Sequence, residues 1–384
     1  MTDADTAAAQ PLGPTQDIVL PGGLVVRVQG ALGSHRSALE RTVGRLAVAD
    51  PDRIVSDLQI RFVEGLTPAG TLRLIGEDAG VDADGTFYVV RMDGDRRRLV
   101  AVSLDPREPI IACDAALTNV PHLVPILNAI AVTRGILPLH AAAAVVHGIG
   151  LAVAGWSKGG KTEALLAMHA AGGIPIADEW CYVDPSSRIG HGLPGPIRLT
   201  AEHMRQLAQL AQLDRRASNL RVHLAGRAAR AYGSVNPRTW RRLRGLSWIH
   251  RLMPLVEERS GFEADVAQAF GGPYAAQRLD RVVMVAASER RETIVRRLDA
   301  TEAVERMVAA HMHHRMGLQA LGQQHGFALP GIATILDDLE GHERDLLRAT
   351  IGDGPVALID HPHPAPIAEL QEAILSIVHD ASGS

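Results

Sequence analysis

The chain has 384 residues, of which 46% are hydrophobic, 21% charged and only 3% aromatic, and its formal net charge is −4. That length can bury a sizeable core in one large domain or two, and the charge balance excludes a chain built as a whole to hold a polyanion. Two cysteines, Cys113 and Cys181, make no disulfide framework, so a reducing cytoplasmic setting fits.

Residues 1–14, rich in Ala, Pro, Thr and Asp, read as a mobile tail. The acidic start, Met1-Thr2-Asp3-Ala4-Asp5, is followed by no apolar segment of the secretory kind. Residues 15–117 read as a β-rich amino-terminal domain. Short apolar/polar alternations at 24–29, 58–63, 71–75, 86–90 and 98–102 are separated by Gly, Asp and Pro. Asp82-Ala83-Asp84-Gly85 is a turn signal before the run at Phe87. No cluster of candidate catalytic groups falls here, and a scaffolding or interface role is expected.

Residues 118–384 read as a second domain. Leu123, Leu127, Ile130 and Ala131 predict a helix over 121–134, with Pro125 near its start. Two apolar runs, Ile136–Val146 and Leu151–Ala154, flank His147-Gly148-Ile149-Gly150 and predict an antiparallel hairpin. Asn128, Arg134, Pro138, His140 and His147 interrupt the longest apolar region, about Val120 to Ala154, and argue against a membrane span.

The second arm of the hairpin runs into Gly155-Trp156-Ser157-Lys158-Gly159-Gly160-Lys161-Thr162, which reads G-x-x-x-x-G-K-T, the phosphate-binding P-loop. Glycines Gly155, Gly159 and Gly160 let successive N–H groups face one concavity. Lys161 is placed for the β- and γ-phosphates of ATP and the Thr162 hydroxyl for Mg²⁺. A helix beginning near Gly160 points its positive end at the same anion. Lys158 and Lys161 are the only two lysines among 39 Lys plus Arg. A compact ammonium in a tight loop is not easily replaced by the planar fork that serves elsewhere. Lys158 itself reads either as a second charge at the γ-phosphate or as a solvated loop residue.

Ala171-Gly172-Gly173 ends the helix, and a strand at 174–177 runs into Asp178-Glu179, carboxylates well placed for Mg²⁺ or for activating a nucleophile. Glu179 fits a Mg²⁺-linked role or a simple salt bridge. The stretch 201–260 holds twelve Arg against four acidic residues. Arg215, Arg216, Arg221, Arg227, Arg230, Arg241, Arg242 and Arg244 fit a solvated helical insert or a lid over phosphates or an acidic peptide. With Tyr232, Trp240 and Trp248 interleaved, nucleic acid is a third reading. A strand at 281–286 and a helix over 301–317 carrying His311, His313 and His314 follow; these histidines read as surface or core residues rather than metal ligands. His361-Pro362-His363-Pro364 reads as a rigid loop without evident chemistry, and 370–378 as a closing amphipathic helix.

From Leu139 to Glu179 the chain resembles the HPr kinase family, P-loop serine kinases related to phosphoenolpyruvate carboxykinase. The resemblance rests on Leu139-His140-Ala141-Ala142, the Gly148-Ile149-Gly150 turn, the P-loop with Glu163 after it, and Ala177-Asp178-Glu179. It implies that Asp178 is the base toward the accepting hydroxyl and that His140 lies near the transferred phosphate. From its residues alone His140 reads equally as a core histidine. Glu179 stands where the family has aspartate. The family's later Glu-Ile-Arg-Gly-Leu-Gly signature is absent, the nearest stretch being Gly195-Pro196-Ile197-Arg198-Leu199. The resemblance is therefore nearer to the peptide-modifying HPr-kinase-like proteins, and it is compatible with a homo-oligomer.

The expectation is an α/β protein with an HPr-kinase/PEP-carboxykinase-like P-loop core and a β-rich amino-terminal domain. It would be a cytoplasmic ATP/Mg²⁺-dependent kinase acting on a hydroxyl, foremost Ser or Thr of a peptide or protein. The alternatives are a small-molecule kinase, or a nucleotide-gated binding protein without transfer activity. Neither a membrane nor nucleic acid is an expected partner.

Overall fold

In Leu58–Val63 the side chains of Leu58, Ile60 and Phe62 are buried while Gln59 and Arg61 are half-exposed. This period of two suits a strand with one covered face, and it recurs through the first part of the chain. The computed structural model describes residues 13–45, 47–48, 55–200, 202–203, 206, 262–264, 269–270 and 274–382. The proposed tail up to residue 12 and nearly all of the Arg-rich stretch, including Arg215, Arg216, Arg221, Arg227, Arg230, Arg241, Arg242 and Arg244, lie outside the described residues. The protein is mixed α/β, with several sheets and seven helices among the described residues. No helix among them is long and apolar enough to cross a membrane.

The strands in chain order begin with β1 (Thr15–Val19), β2 (Val25–Gln29), β3 (Ala47–Val48), β4 (Leu58–Val63) and β5 (Arg73–Ile75). Then come β6 (Ala79–Val81), β7 (Phe87–Asp93), β8 (Arg96–Ser103) and β9 (Ile110–Asp114). They form one nine-stranded sheet in the order β3-β1-β2-β4-β9-β8-β7-β6-β5. The β2–β4 and β4–β9 pairs are parallel; the other pairs with a defined register are antiparallel. The turn expected at Asp82 is present. Its carboxylate accepts hydrogen bonds from the Ala69, Asp84 and Thr86 N–H groups and from the Tyr88 hydroxyl.

Two compact units divide the chain. One comprises Met1–Leu139, Tyr182–Arg188 and Val304–Gly352; the other comprises His140–Cys181, Ile189–Ala303 and Asp353–Ser384. The linear reading places a single boundary at 117/118, whereas this grouping follows contacts that local composition does not encode. In the first unit the helix after the sheet runs Leu123–Thr133. It starts two residues later than the apolar period suggests. Pro125 is tolerated in its first turn, where N–H groups have no intrahelical partner. The single helix expected over 301–317 is instead two, Ala300–His314 and Met316–Ala328. The second buries Leu318, Leu321, His325 and Ala328. Its Gly317, Gly322 and Gly326 lower helix propensity and dilute the sequence signal.

The second unit is organised by a six-stranded sheet. Its strands are β10 (Ala141–Val146), β11 (Ile149–Gly155), β12 (Ile174–Ala177), β13 (Arg281–Ser288), β14 (Ile294–Leu298) and β15 (Val356–Pro362), in the order β12-β10-β11-β13-β15-β14. The predicted hairpin is β10–β11, paired antiparallel from Ala141↔Ala154 to Val146↔Ile149. Its two-residue turn has positive φ at His147 (49°) and Gly148 (84°), the backbone that matches the right-handed strand twist. On its other side β11 runs parallel to β13, and β13 parallel to β15. The helix Lys161–Ala170 buries Ala164, Leu165, Leu166, Ala167 and Met168. These join Ala142, Val146, Leu151 and Val153 of the sheet and Ile367, Leu370, Ile374 and Val378 of the last helix, Ile367–Ser382, in one apolar core.

Candidate active site

The ladder determines which residues can meet. β11, β13 and β15 are parallel, so their carboxyl ends reach one edge; Gly155 is level with Val285, and Val285 with Ile359. β12 is antiparallel to β10 and hence parallel to β11, so Asp178 emerges at the same edge. His140 precedes Ala141, which is level with Ala154 there. Ligands of open α/β sheets bind at such an edge.

The Gly155–Thr162 loop joins β11 to the helix Lys161–Ala170. The Gly159 N–H donates to the Trp156 carbonyl at 3.0 Å, closing the turn. Gly160 has φ +101°, and a Cβ there would stand 2.5 Å from His361 Nε2, so the position demands glycine. Lys161 is only 7% exposed. Its Nζ donates to the Gly155 and Trp156 carbonyls at 3.1 and 2.9 Å. Burial pulls its pKa down to about 8, against the attraction of Glu179, Asp178 and Glu163. Ser157 is half-buried, and Lys158 and Trp156 are exposed, Lys158 with left-handed backbone (φ 61°).

The Thr162 hydroxyl donates to Asp178 Oδ1 at 3.3 Å. Asp178 keeps some solvent exposure yet is densely ringed by protein. Burial, then the adjacent Glu179 charge, pushes it up to about 7, while Thr162 and Lys161 restrain the rise. Glu179 has φ 74°, unusual for a side-chain-bearing residue. Its exposed carboxylate lies 3.5 Å from Nε2 of the buried His140, whose ring is 5.0 Å from that of Trp180. Glu163, in the first turn of the helix, meets His203 Nε2 at 3.0 Å. The Thr200 N–H donates to His203 Nδ1, so the ring is an acceptor there and donates from Nε2 to Glu163. Burial alone would raise the Glu163 pKa, but His203 holds it below the usual carboxylate range.

Sequence reasoning passed over His203, Tyr274 and His361. Tyr274 adjoins the acid pair, and burial, then the Asp178 charge, drives its phenol pKa far up. His361, read as part of an inert loop, closes β15 and hydrogen-bonds the loop through Gly159 O at 2.9 Å. Only its neighbouring prolines marked it in the sequence. His311, one of the histidines read as surface or core residues, is buried against Glu343 in the other unit.

Two hard oxygen donors, Thr162 Oγ1 and Asp178 Oδ1, meet where the motif would place a cation. That set suits Mg²⁺, which takes one or two carboxylates plus phosphate oxygens. Among the described residues there is no group of three or more His, Cys, Asp or Glu that could hold a metal by itself. Compared with known proteins, the chain matches no family model, and no curated protein matches it.

Proposed function

We propose that this chain is an ATP- and Mg²⁺-dependent phosphotransferase with an HPr-kinase-like core, phosphorylating a hydroxyl, foremost Ser or Thr of a peptide or protein. The observation that carries the reading is the Thr162–Asp178 hydrogen bond. It brings the hydroxyl of the phosphate-loop motif to a carboxylate from a different strand, beside a buried lysine. The nucleotide and its metal would supply the phosphoryl group and much of the neutralising charge.

The protein's own residues have separable tasks. Lys161 and the first N–H groups of its helix provide positive potential for a phosphate chain. Asp178 accepts the proton of the acceptor hydroxyl; a carboxylate raised to about 7 is poised to do so near neutral pH. Glu179, tethered to His140, keeps a second negative charge against Asp178 and so helps hold its affinity for a proton high.

A nucleotide-gated binding protein is the second reading. The stretch nearest to the missing family signature has Ile197 and Leu199 buried in a short strand, and it brings no carboxylate of its own to the site. Transfer of labelled phosphate from ATP to a panel of Ser- and Thr-containing peptides and hydroxylated metabolites separates the two. The kinase reading expects label on an acceptor, lost in Lys161→Ala and Asp178→Asn. Transfer that survives in Lys161→Ala would refute it, and tight ATP binding with no labelled acceptor would favour the gated binder.

A further inference from the structure

His361 is 1% exposed, and both of its ring nitrogens face backbone carbonyl oxygens. Nε2 lies 2.9 Å from Gly159 O and Nδ1 2.7 Å from Pro362 O. A carbonyl oxygen only accepts, so each nitrogen must carry a hydrogen to make these bonds. A neutral ring has one N–H and would set a nitrogen lone pair against a carbonyl lone pair at hydrogen-bonding distance. Other buried histidines show the contrast. His203 Nδ1 accepts from the Thr200 N–H, and His35 Nδ1 accepts from the Leu32 N–H while Nε2 meets Ala115 O, the pattern of a singly protonated ring. His361 alone among these three requires two donors. A buried charge needs compensation; besides the two carbonyls, the Glu163 carboxylate is close enough to feel His361 electrostatically.

We propose that His361 is an imidazolium positioning residue of the phosphate loop. It binds the Gly159 carbonyl from the side of the sheet, fixes the Gly159–Gly160 backbone, and adds a second buried positive charge to that of Lys161. This rests on the phosphate-binding reading of Gly155–Thr162. The position follows from the parallel ladder, because β15 ends at the edge where β11 enters the loop. The fit is close: any side chain at Gly160 would collide with the ring. A fixed charge beneath the loop should matter more as the bound anion carries more phosphate.

Two measurements on the full chain test this. Nitrogen-15 NMR of histidine-labelled protein at neutral pH, with the His361 signals identified by their loss in His361→Gln, should show both ring nitrogens protonated in the free protein. One unprotonated nitrogen overturns the proposal by itself. Binding of ATP, ADP and AMP is then compared between wild type and His361→Gln, which retains a donor but no charge. ATP affinity should fall about tenfold while AMP affinity changes less than about twofold. Equal losses for the three nucleotides, or none, would mean a merely structural ring and overturn it. A wild-type chain that binds none of the three refutes the nucleotide reading and, with it, the anion-binding part of this proposal; the NMR result still decides the charge state.

Discussion

Thr162 and Asp178, sixteen residues apart in the chain, are joined by a hydrogen bond from Thr162 Oγ1 to Asp178 Oδ1 of 3.3 Å. The contact links the start of the helix after the loop to the end of an outer strand, at a carboxylate whose negative charge burial disfavours. Asp178→Asn removes that charge and keeps the shape. Transfer should fall by about a thousandfold, with ATP affinity changed less than about threefold. Single-turnover kinetics beside equilibrium binding make the comparison; retained transfer would remove Asp178 from the role of base.

The same variant should be more stable at alkaline pH. Asp178 rises from 3.8 to about 7 on folding. Between those values the folded chain holds a proton that the unfolded chain has released, so stability declines as pH rises through that window. Above it the wild type bears the whole cost of the buried charge and the Asn variant bears none. Denaturant unfolding at about pH 8 should favour Asp178→Asn by about 2 kcal/mol, with the gap closing near pH 4.

The pH dependence of kcat/KM should be a narrow bell. Activity grows as Asp178 ionises through about 7 and declines as Lys161 loses its proton through about 8. Rates at limiting ATP from about pH 5.5 to 9.5 test both limbs. An acid limb that persists unchanged in Asp178→Asn would assign it to another group.

Gly160→Ala should be disproportionately harmful for one methyl group. The new Cβ would sit 2.5 Å from His361 Nε2, on backbone with φ +101°. Strain of about 1–3 kcal/mol is expected, together with loss of nucleotide binding as the loop moves off the ring. Thermal unfolding and ATP titration read the two effects. Gly354→Ala, at a position with nothing within 4 Å of its Cβ, serves as the control.

In the other unit the buried Glu343 lies 3.0 Å from His311 Nδ1 and 2.7 Å from an Arg315 nitrogen. Burial would raise its pKa, but His311 and then Arg315 outweigh this and hold it low. Its contribution to stability is thus present above 4.5 and lost as pH falls through the depressed folded value. Glu343→Ala strands two buried partners and should cost about 3–5 kcal/mol. Urea unfolding checks the magnitude; a change under about 1 kcal/mol would show that the network relaxes without it.

Much of the site was legible because local rules encode it. The G-x-x-x-x-G-K-T spacing, the turn at His147-Gly148 and the strand ending in Asp178 each lie within a few residues of chain, where periodicity and turn chemistry act. Lysine confined to one loop marked that loop as special. Tertiary structure alone decided what meets it. His361 reaches Gly159 across 202 residues because β11, β13 and β15 are parallel and end at one edge. Strand order is set by the pairing of distant segments and leaves no periodicity behind. The same holds for His203 against Glu163, 40 residues apart, and for Glu343 between His311 and Arg315. Whether a histidine is a surface residue, a neutral donor or a buried cation depends on which oxygen or N–H faces each ring nitrogen, and only the folded chain supplies those partners.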